Sequence, residues 1–255
     1  MKLTHLASRL RGRYQSLAAT ALFRRTAPMR NTVPLISFTF DDFPRSALLV
    51  GGEILRRHNV AGTYYASLGL MGKQAATGAL FEKADLERAL EQGHELGCHT
   101  FDHLHSWDTQ PAVFEKSVME NQRMLQKILP GACFRSLSYP ILVPRPATKR
   151  RVGRHFDCCR CGGQTFNAKR MDSNHLSAFF LEKVRNDIVA VRRVIEQNRA
   201  ARGWLIFATH DVSDDPTPYG CEPRFFEEVV RCSVSSGARV LPVVKAWETL
   251  SCARS

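Results

Sequence analysis

From Leu35 onward the chain alternates short apolar runs, rich in aromatic and β-branched residues, with longer stretches whose apolar positions recur every three or four residues. The short runs predict strands over 35–40, 63–67, 95–98, 133–139, 156–159, 204–208 and 239–243. The longer stretches predict helices over 46–58, 85–92, 112–129, 148–152, 181–199, 223–235 and 244–250. Gly93, Pro130 and Gly237 each stand where a helical pattern stops. Strand and helix therefore alternate as βα units. The run Trp204-Leu205-Ile206-Phe207-Ala208 is apolar at every position, so it needs cover on both faces, as strands of parallel sheets do. Seven or eight such units predict a single-domain barrel in preference to an open doubly wound sheet. No repeat, low-complexity run or linker divides residues 34–255.

Charge singles out residues 1–33. The formal net charge is +12, and Lys2, Arg9, Arg11, Arg13, Arg24, Arg25 and Arg30 all precede the first acidic residue, Asp41. Leu3, Leu6, Leu10, Leu17 and Leu22 suit one face of one or two helices. This basic N-terminal segment therefore reads either as an amphipathic element that contacts an anionic membrane surface through residues 1–30, or as a solvated tail. No nucleic-acid motif accompanies the charge. No run approaches the roughly 20 apolar residues of a membrane span. The eight cysteines are scattered, which favours a reducing compartment, and a cytoplasmic, membrane-peripheral location is the expectation.

Residues able to carry chemistry gather where three predicted strands end, the face at which βα barrels place their active sites. The first group is Asp41-Asp42 after Thr39-Phe40, the second is His99-Thr100-Phe101-Asp102-His103, and the third is Thr209-His210-Asp211. Each also has a plainer reading. An aspartate before Pro44 suits a helix cap. Histidines four apart share a face on a helical turn and can bind one metal, but they can equally be surface residues. His210 can be an ordinary loop histidine or a proton carrier. Cys158, Cys159 and Cys161 contain a C-x-x-C pair, read as strand and loop residues because no second pair follows. Phe166, Phe179, Phe180, Trp107 and Tyr219 offer stacking surfaces for a sugar, with core packing the default for the phenylalanines.

Taken together and in this order, Thr39-Phe40-Asp41-Asp42, His99-x-x-x-His103 and strand-borne His210 resemble the polysaccharide deacetylase, or NodB-homology, family of carbohydrate esterases. The resemblance spans residues 35 to about 245. It implies a distorted (β/α) barrel of about seven parallel strands. It also implies zinc, or another divalent metal such as cobalt or nickel, on Asp42, His99 and His103, with Asp41 as general base and His210 as general acid. The implied activity is removal of N-acetyl or O-acetyl groups from a polysaccharide or glycoconjugate, an acetylated glycan being the partner. The family's Arg-x-Pro-Tyr motif is replaced by Phe134-Arg135-Ser136-Leu137-Ser138-Tyr139-Pro140. Tyr139 is expected to keep an oxyanion role through its backbone N–H, whereas Arg135 lies far upstream of the position that orients the base. The alternatives are an amide hydrolase of the same fold acting on a small non-sugar or lipid-linked substrate, and a catalytically silent protein that binds anionic surfaces.

Overall fold

The computed structural model describes residues 2–141 and 143–252, with side chains described for 10–141 and 143–251. The readings at Lys2, Leu3, Leu6, Arg9 and Cys252 concern side chains outside the described residues. Helix α1 (Lys2–Ala21) leads through β1 (Thr26–Pro28) to β2 (Leu35–Phe40). A π-helical stretch, Ala47–Gly52, runs into α2 (Glu53–Arg57) and then β3 (Thr63–Ala66). A small hairpin, β4 (Gln74–Ala75) and β5 (Gly78–Ala79), precedes α3 (Lys83–Glu91) and β6 (Glu95–Cys98). Next come α4 (Pro111–Ile128), β7 (Ser136–Ser138), α5 (Pro146–Val152) and β8 (Cys158–Cys161). A less regular stretch carries β9 (Arg170–Asp172), β10 (Leu176–Ser177) and β11 (Phe179–Phe180). It is followed by α6 (Ile188–Ala201), β12 (Trp204–Thr209), α7 (Pro223–Ser235), β13 (Arg239–Val240) and α8 (Val243–Cys252).

The main sheet runs β10-β8-β7-β6-β3-β2-β12-β11, and every pairing in it is parallel. Only Ala178 separates β10 from β11, so one short stretch serves both edges. Leu176 and Ser177 pair with Arg160 and Cys161, while Phe179 and Phe180 pair with Phe207 and Ala208. The sheet thereby closes into a ring of seven parallel positions. The ring is distorted at β2: its end pairs with β3 (Thr39 with Thr63), but its beginning pairs with β13 (Leu35 with Arg239). The predicted barrel is observed. The hairpin at 74–79 and the closing stretch at 176–180 carry no periodic signal long enough to predict.

Strand alternation sorts the core. Ile36, Phe38, Phe40 and Phe207 pack outward with Phe226, Val229 and Val230 of α7, and the Phe38 and Phe226 rings meet edge-on at 5.6 Å. Leu35, Trp204 and Ile206 instead meet Cys158 and Leu176 from across the ring, together with Ala246 and Leu250 of α8. Burying each large side chain of this kind is worth about 1.5–3 kcal/mol. The lower barrel thus holds these apolar groups beside a polar cluster of Glu95, Thr63 and Ser136, and Asp41, His99 and His210 stand at the C-terminal ends of the strands.

The basic N-terminal segment is anchored to this body. Ala19 of α1 is buried, and its carbonyl accepts from Lys149 Nζ at 2.9 Å; the same ammonium pairs with Asp172 Oδ2 at 2.7 Å. The Arg25 backbone N–H donates to Asp172 Oδ1 at 2.8 Å. The Arg25 guanidinium donates to the Gly153 and Phe156 carbonyls, each at 2.9 Å, and to that of Asp157. Strand β1 adds an antiparallel ribbon with β9. From about residue 15 onward this segment is therefore no loose tail, because a buried lysine and a buried aspartate depend on it.

Candidate active site

The chain turns sharply where β2 ends. Asp42 and Phe43 take left-handed backbone angles, φ 59° and 52°, a conformation that costs non-glycine residues of order 1–3 kcal/mol each. Packing holds it: the fully buried Phe43 ring lies 4.7 Å from Tyr64 and 5.0 Å from Phe81, and the Phe43 carbonyl accepts from Phe81 N–H. The turn lets adjacent aspartates address one site, which a continuing strand would forbid. Neither caps the following helix, whose N-cap position is Ser46.

His99 leaves the end of β6 fully buried, and its Nδ1 lies 2.8 Å from the Ser138 carbonyl. A carbonyl only accepts, so Nδ1 carries the proton and Nε2 is free as a ligand. The sequence expectation of a helical turn from His99 to His103 is not met. Thr100 and His103 have positive φ, 60° and 54°, and the segment is a bent loop. Ser117 of α4 clamps it by accepting from Phe101 N–H and donating to Asp102 Oδ2. The outcome is the same convergence by another route. His103 Nε2 stands 3.2 Å and His99 Nε2 3.5 Å from Asp42 Oδ1.

These three side chains form a candidate metal site in which one ligand atom from each lies within 4.8 Å of the others. Two donors on a tetrahedral zinc stand roughly 3.4 Å apart, from bond lengths near 2.0–2.1 Å. Asp42 Oδ1 is buried without a hydrogen-bond partner, and Thr77 of the 74–79 hairpin holds the other oxygen at 3.2 Å. An orphaned carboxylate oxygen faced by two imidazole nitrogens fits a divalent cation. Burial raises the Asp42 pKa, but the His103 and His99 rings outweigh it and hold the carboxyl well below its ordinary range.

Asp41, also buried, forms an ion pair with Arg160 of β8. Arg160 is 1% exposed, donates to Ser138 Oγ at 2.7 Å, and lies between the rings of Tyr65 and Phe180 at 5.1 and 5.5 Å. Burial pushes the Asp41 pKa up. The charges of Arg160, His99 and His210 more than reverse this, so Asp41 stays a carboxylate. His210 follows β12, with Nδ1 3.1 Å from the Tyr219 carbonyl, which therefore orients it and leaves Nε2 free. The loop that supplies this carbonyl folds around Asp211, which accepts from Thr217 N–H at 2.8 Å. It passes so close that a Cβ on Gly220 would lie 2.3 Å from Asp211 Oδ1.

Comparison with known proteins agrees with this arrangement. The polysaccharide deacetylase family profile matches residues 29–155, about half of the chain, including Asp41, Asp42, His99 and His103. This chain belongs to the polysaccharide deacetylase family. Among curated relatives, the peptidoglycan-N-acetylglucosamine deacetylase PgdA of Listeria monocytogenes is 32% identical over 104 residues; this match covers 40% of the present chain and 20% of that protein. A family 4 acetyl xylan esterase from Clostridium thermocellum, solved with a cobalt ion, shares the fold at TM-score 0.57 and 19% identity, covering 84% of this chain and 91% of that one. The chitin deacetylase of Colletotrichum lindemuthianum does so at TM-score 0.58 and 14% identity, covering 86% and 92%.

Within the polysaccharide deacetylase family, the chain departs from the family pattern at two expected positions. Tyr139 does not keep a free backbone N–H, because that group donates to the Arg160 carbonyl at 3.0 Å within the sheet. Its ring is buried beside Phe114 and Cys159. Tyr139 is thus a core residue, and the oxyanion role expected of it is lost. Arg135 lies at the opposite end of β7, half-exposed, paired with Asp157 and Glu248. The arginine that pairs with Asp41, the expected base, is Arg160, one strand further on among the cysteines. Its signal was there: a lone charge inside an apolar run is costly unless paired. Cys158 faces the barrel interior while Cys159 and Cys161 face the outer core, so the C-x-x-C pair points to opposite sides and cannot chelate. Thr77 and Ser138 also escaped notice, lying on a short hairpin and inside a strand. His94 and His105 stay outside the site, the first buried against Gly62 N–H and the second paired with Asp108. Of the aromatic candidates, Phe179 packs in the core and Phe180 lies against Arg160, whereas Tyr219 is 46% exposed beside the His210 ring.

Proposed function

We propose that this protein is a metal-dependent deacetylase that hydrolyses N-acetyl, or alternatively O-acetyl, groups on a carbohydrate polymer or glycoconjugate. The observation that carries this reading is the buried Asp42 oxygen faced by two imidazole nitrogens, next to an aspartate locked by Arg160. The relatives named above are a peptidoglycan deacetylase, an acetyl xylan esterase and a chitin deacetylase, which supports a carbohydrate substrate.

Asp42, His99 and His103 would hold zinc, cobalt or nickel. When bound, such an ion supplies a Lewis acid that polarises the acyl carbonyl and acidifies a water. Asp41 accepts the proton of the attacking water as its oxygen bonds to the acyl carbon. Arg160 keeps that carboxylate charged and fixes its direction. His210, oriented through Nδ1 by Tyr219, donates a proton from Nε2 to the departing amine as the C–N bond breaks, leaving acetate. The exposed Tyr219 ring is placed to stack on a sugar beside His210.

The test is acetate release from N-acetylated and O-acetylated glycans by protein loaded with zinc, cobalt or nickel. Chelation should abolish turnover, and the restored ion should return it. Acetate from none of these glycans with any ion, or full rate in metal-free protein, refutes the reading. Release only from a small non-sugar amide keeps the chemistry and moves the substrate.

A further inference from the structure

Helix α1 has two contrasting faces. Gln15 and Ala19 are buried against the body, whereas Leu10, Tyr14 and Leu17 are 57%, 65% and 70% exposed. At 100° per residue those three form one stripe on the side opposite the buried pair. Leu22 and Phe23, just past the end of the helix, are also exposed, so that five of the thirteen exposed large hydrophobic residues among those described fall within fourteen consecutive positions. Such a concentration is unusual on a surface that carries its other apolar residues singly.

The charged groups around the stripe are almost all of one sign. Arg11 and Arg13 flank it on either side, Arg24 follows Phe23, and the Arg150 guanidinium lies 5.0 Å from the Phe23 ring. Among the described residues, the acidic partners of these arginines are Asp108, 3.6 Å from Arg11 with both groups exposed, and the buried Asp172, 3.9 Å from Arg24. We infer that α1 is a docking surface for an anionic lipid bilayer, with Leu10, Tyr14 and Leu17 entering the headgroup boundary and Arg11 and Arg13 meeting acidic headgroups. Charge complementarity selects this occupant: a second copy would oppose one arginine-rimmed stripe to another, whereas an anionic bilayer satisfies both the apolar and the basic groups. Tyr14 also packs edge-on against Trp107 at 6.1 Å, and Trp107 donates to the Val143 carbonyl. Both belong to loops that follow site strands, so docking would bring the site mouth beside the bilayer.

The test is sedimentation of the full chain with phosphatidylcholine vesicles, with and without phosphatidylglycerol. The parent protein should bind the anionic vesicles preferentially, and rising salt should weaken that binding. The exposed substitutions Leu10→Gln and Leu17→Gln together should lower partitioning about tenfold or more with an unchanged melting temperature. Arg11→Gln with Arg13→Gln should flatten the salt dependence. Leu17→Trp, which leaves the stripe apolar, should shift its emission to shorter wavelength on addition of anionic vesicles. Equal binding to neutral vesicles, unchanged partitioning of the double leucine variant, or no emission shift would overturn the proposal. So would a dimer, seen by sedimentation velocity, that the leucine variant dissolves while vesicles are ignored. None of these readouts involves hydrolysis, so failure here leaves the deacetylase reading standing.

Discussion

Replacing Arg160 by methionine tests the link between packing and chemistry. Methionine keeps most of the length and lets the Tyr65 and Phe180 rings retain an apolar partner, but it removes the only ion pair shown for Asp41. A buried carboxylate deprived of its partner costs about 3–5 kcal/mol. Against a total stability of about 5–15 kcal/mol this is a large fraction, equivalent to roughly 6–20 °C in melting temperature for a domain of this size. The penalty should appear as a lower urea midpoint with an unchanged slope. Burial without Arg160 also moves the Asp41 pKa upward and frees the carboxylate's orientation, so kcat should fall. Metal content should survive, since Arg160 touches none of the three ligands. Combining Arg160→Met with Asp41→Asn separates the two effects. The neutral amide needs no counter-charge, so the double variant should be more stable than Arg160→Met alone while remaining inactive. If Arg160→Met melts with the parent and turns over normally, or if Asp41→Asn rescues no stability, Arg160 does not hold the base.

Asp41→Asn should keep the metal and lose roughly 10² to 10⁴ in rate, the usual share of general-base catalysis, whereas Asp42→Ala should lose metal and rate together; metal analysis alongside steady-state kinetics decides. His210→Gln should slow hydrolysis of an N-acetyl amine far more than that of an aryl acetate, because only the amine needs a proton to depart; equal losses would remove His210 from that role. The folded Asp41 pKa lies below its ordinary value, so Asp41 contributes stability above the unfolded carboxylate range near 4 and loses it as pH falls through the folded value. Acid unfolding of Asp41→Asn should accordingly be less steep. Removing residues 1–30 strips the Ala19 and Arg25 contacts from Lys149 and Asp172, and should lower the melting temperature even though the barrel residues are intact; an unchanged temperature would show the anchoring to be idle.

The alternation of apolar runs made the barrel legible, because a strand buried on both faces has few other homes. The convergence of Asp42, His99 and His103 was legible as well, because they sit within a few residues of strand ends. What escaped is what long-range pairing alone creates. Arg160 meets Asp41 across 119 positions of sequence and Thr77 meets Asp42 across 35, and no local period encodes either contact. Tyr139 misled for a related reason. Its side chain and place after a strand suited an oxyanion donor, but whether a backbone N–H is free depends on the neighbouring strand, and here β8 takes it. The loop at His99–His103 reached the expected convergence through left-handed backbone at Thr100 and His103, which a helical spacing rule cannot anticipate.

The stretch from Leu176 to Phe180 is the clasp of the ring. It holds each neighbour by two residues, whereas β2 and β12 hold each other by six. Its partners lie on either side of it in sequence, so the ring closes only when the chain has folded back from both directions. Phe180, one of the two rings against Arg160, belongs to this clasp. On the proposed deacetylase reading, competence for hydrolysis waits on this closure: a chain can already own most of its sheet and bring Asp42, His99 and His103 together before both rings flank Arg160. During refolding, ellipticity should return ahead of turnover.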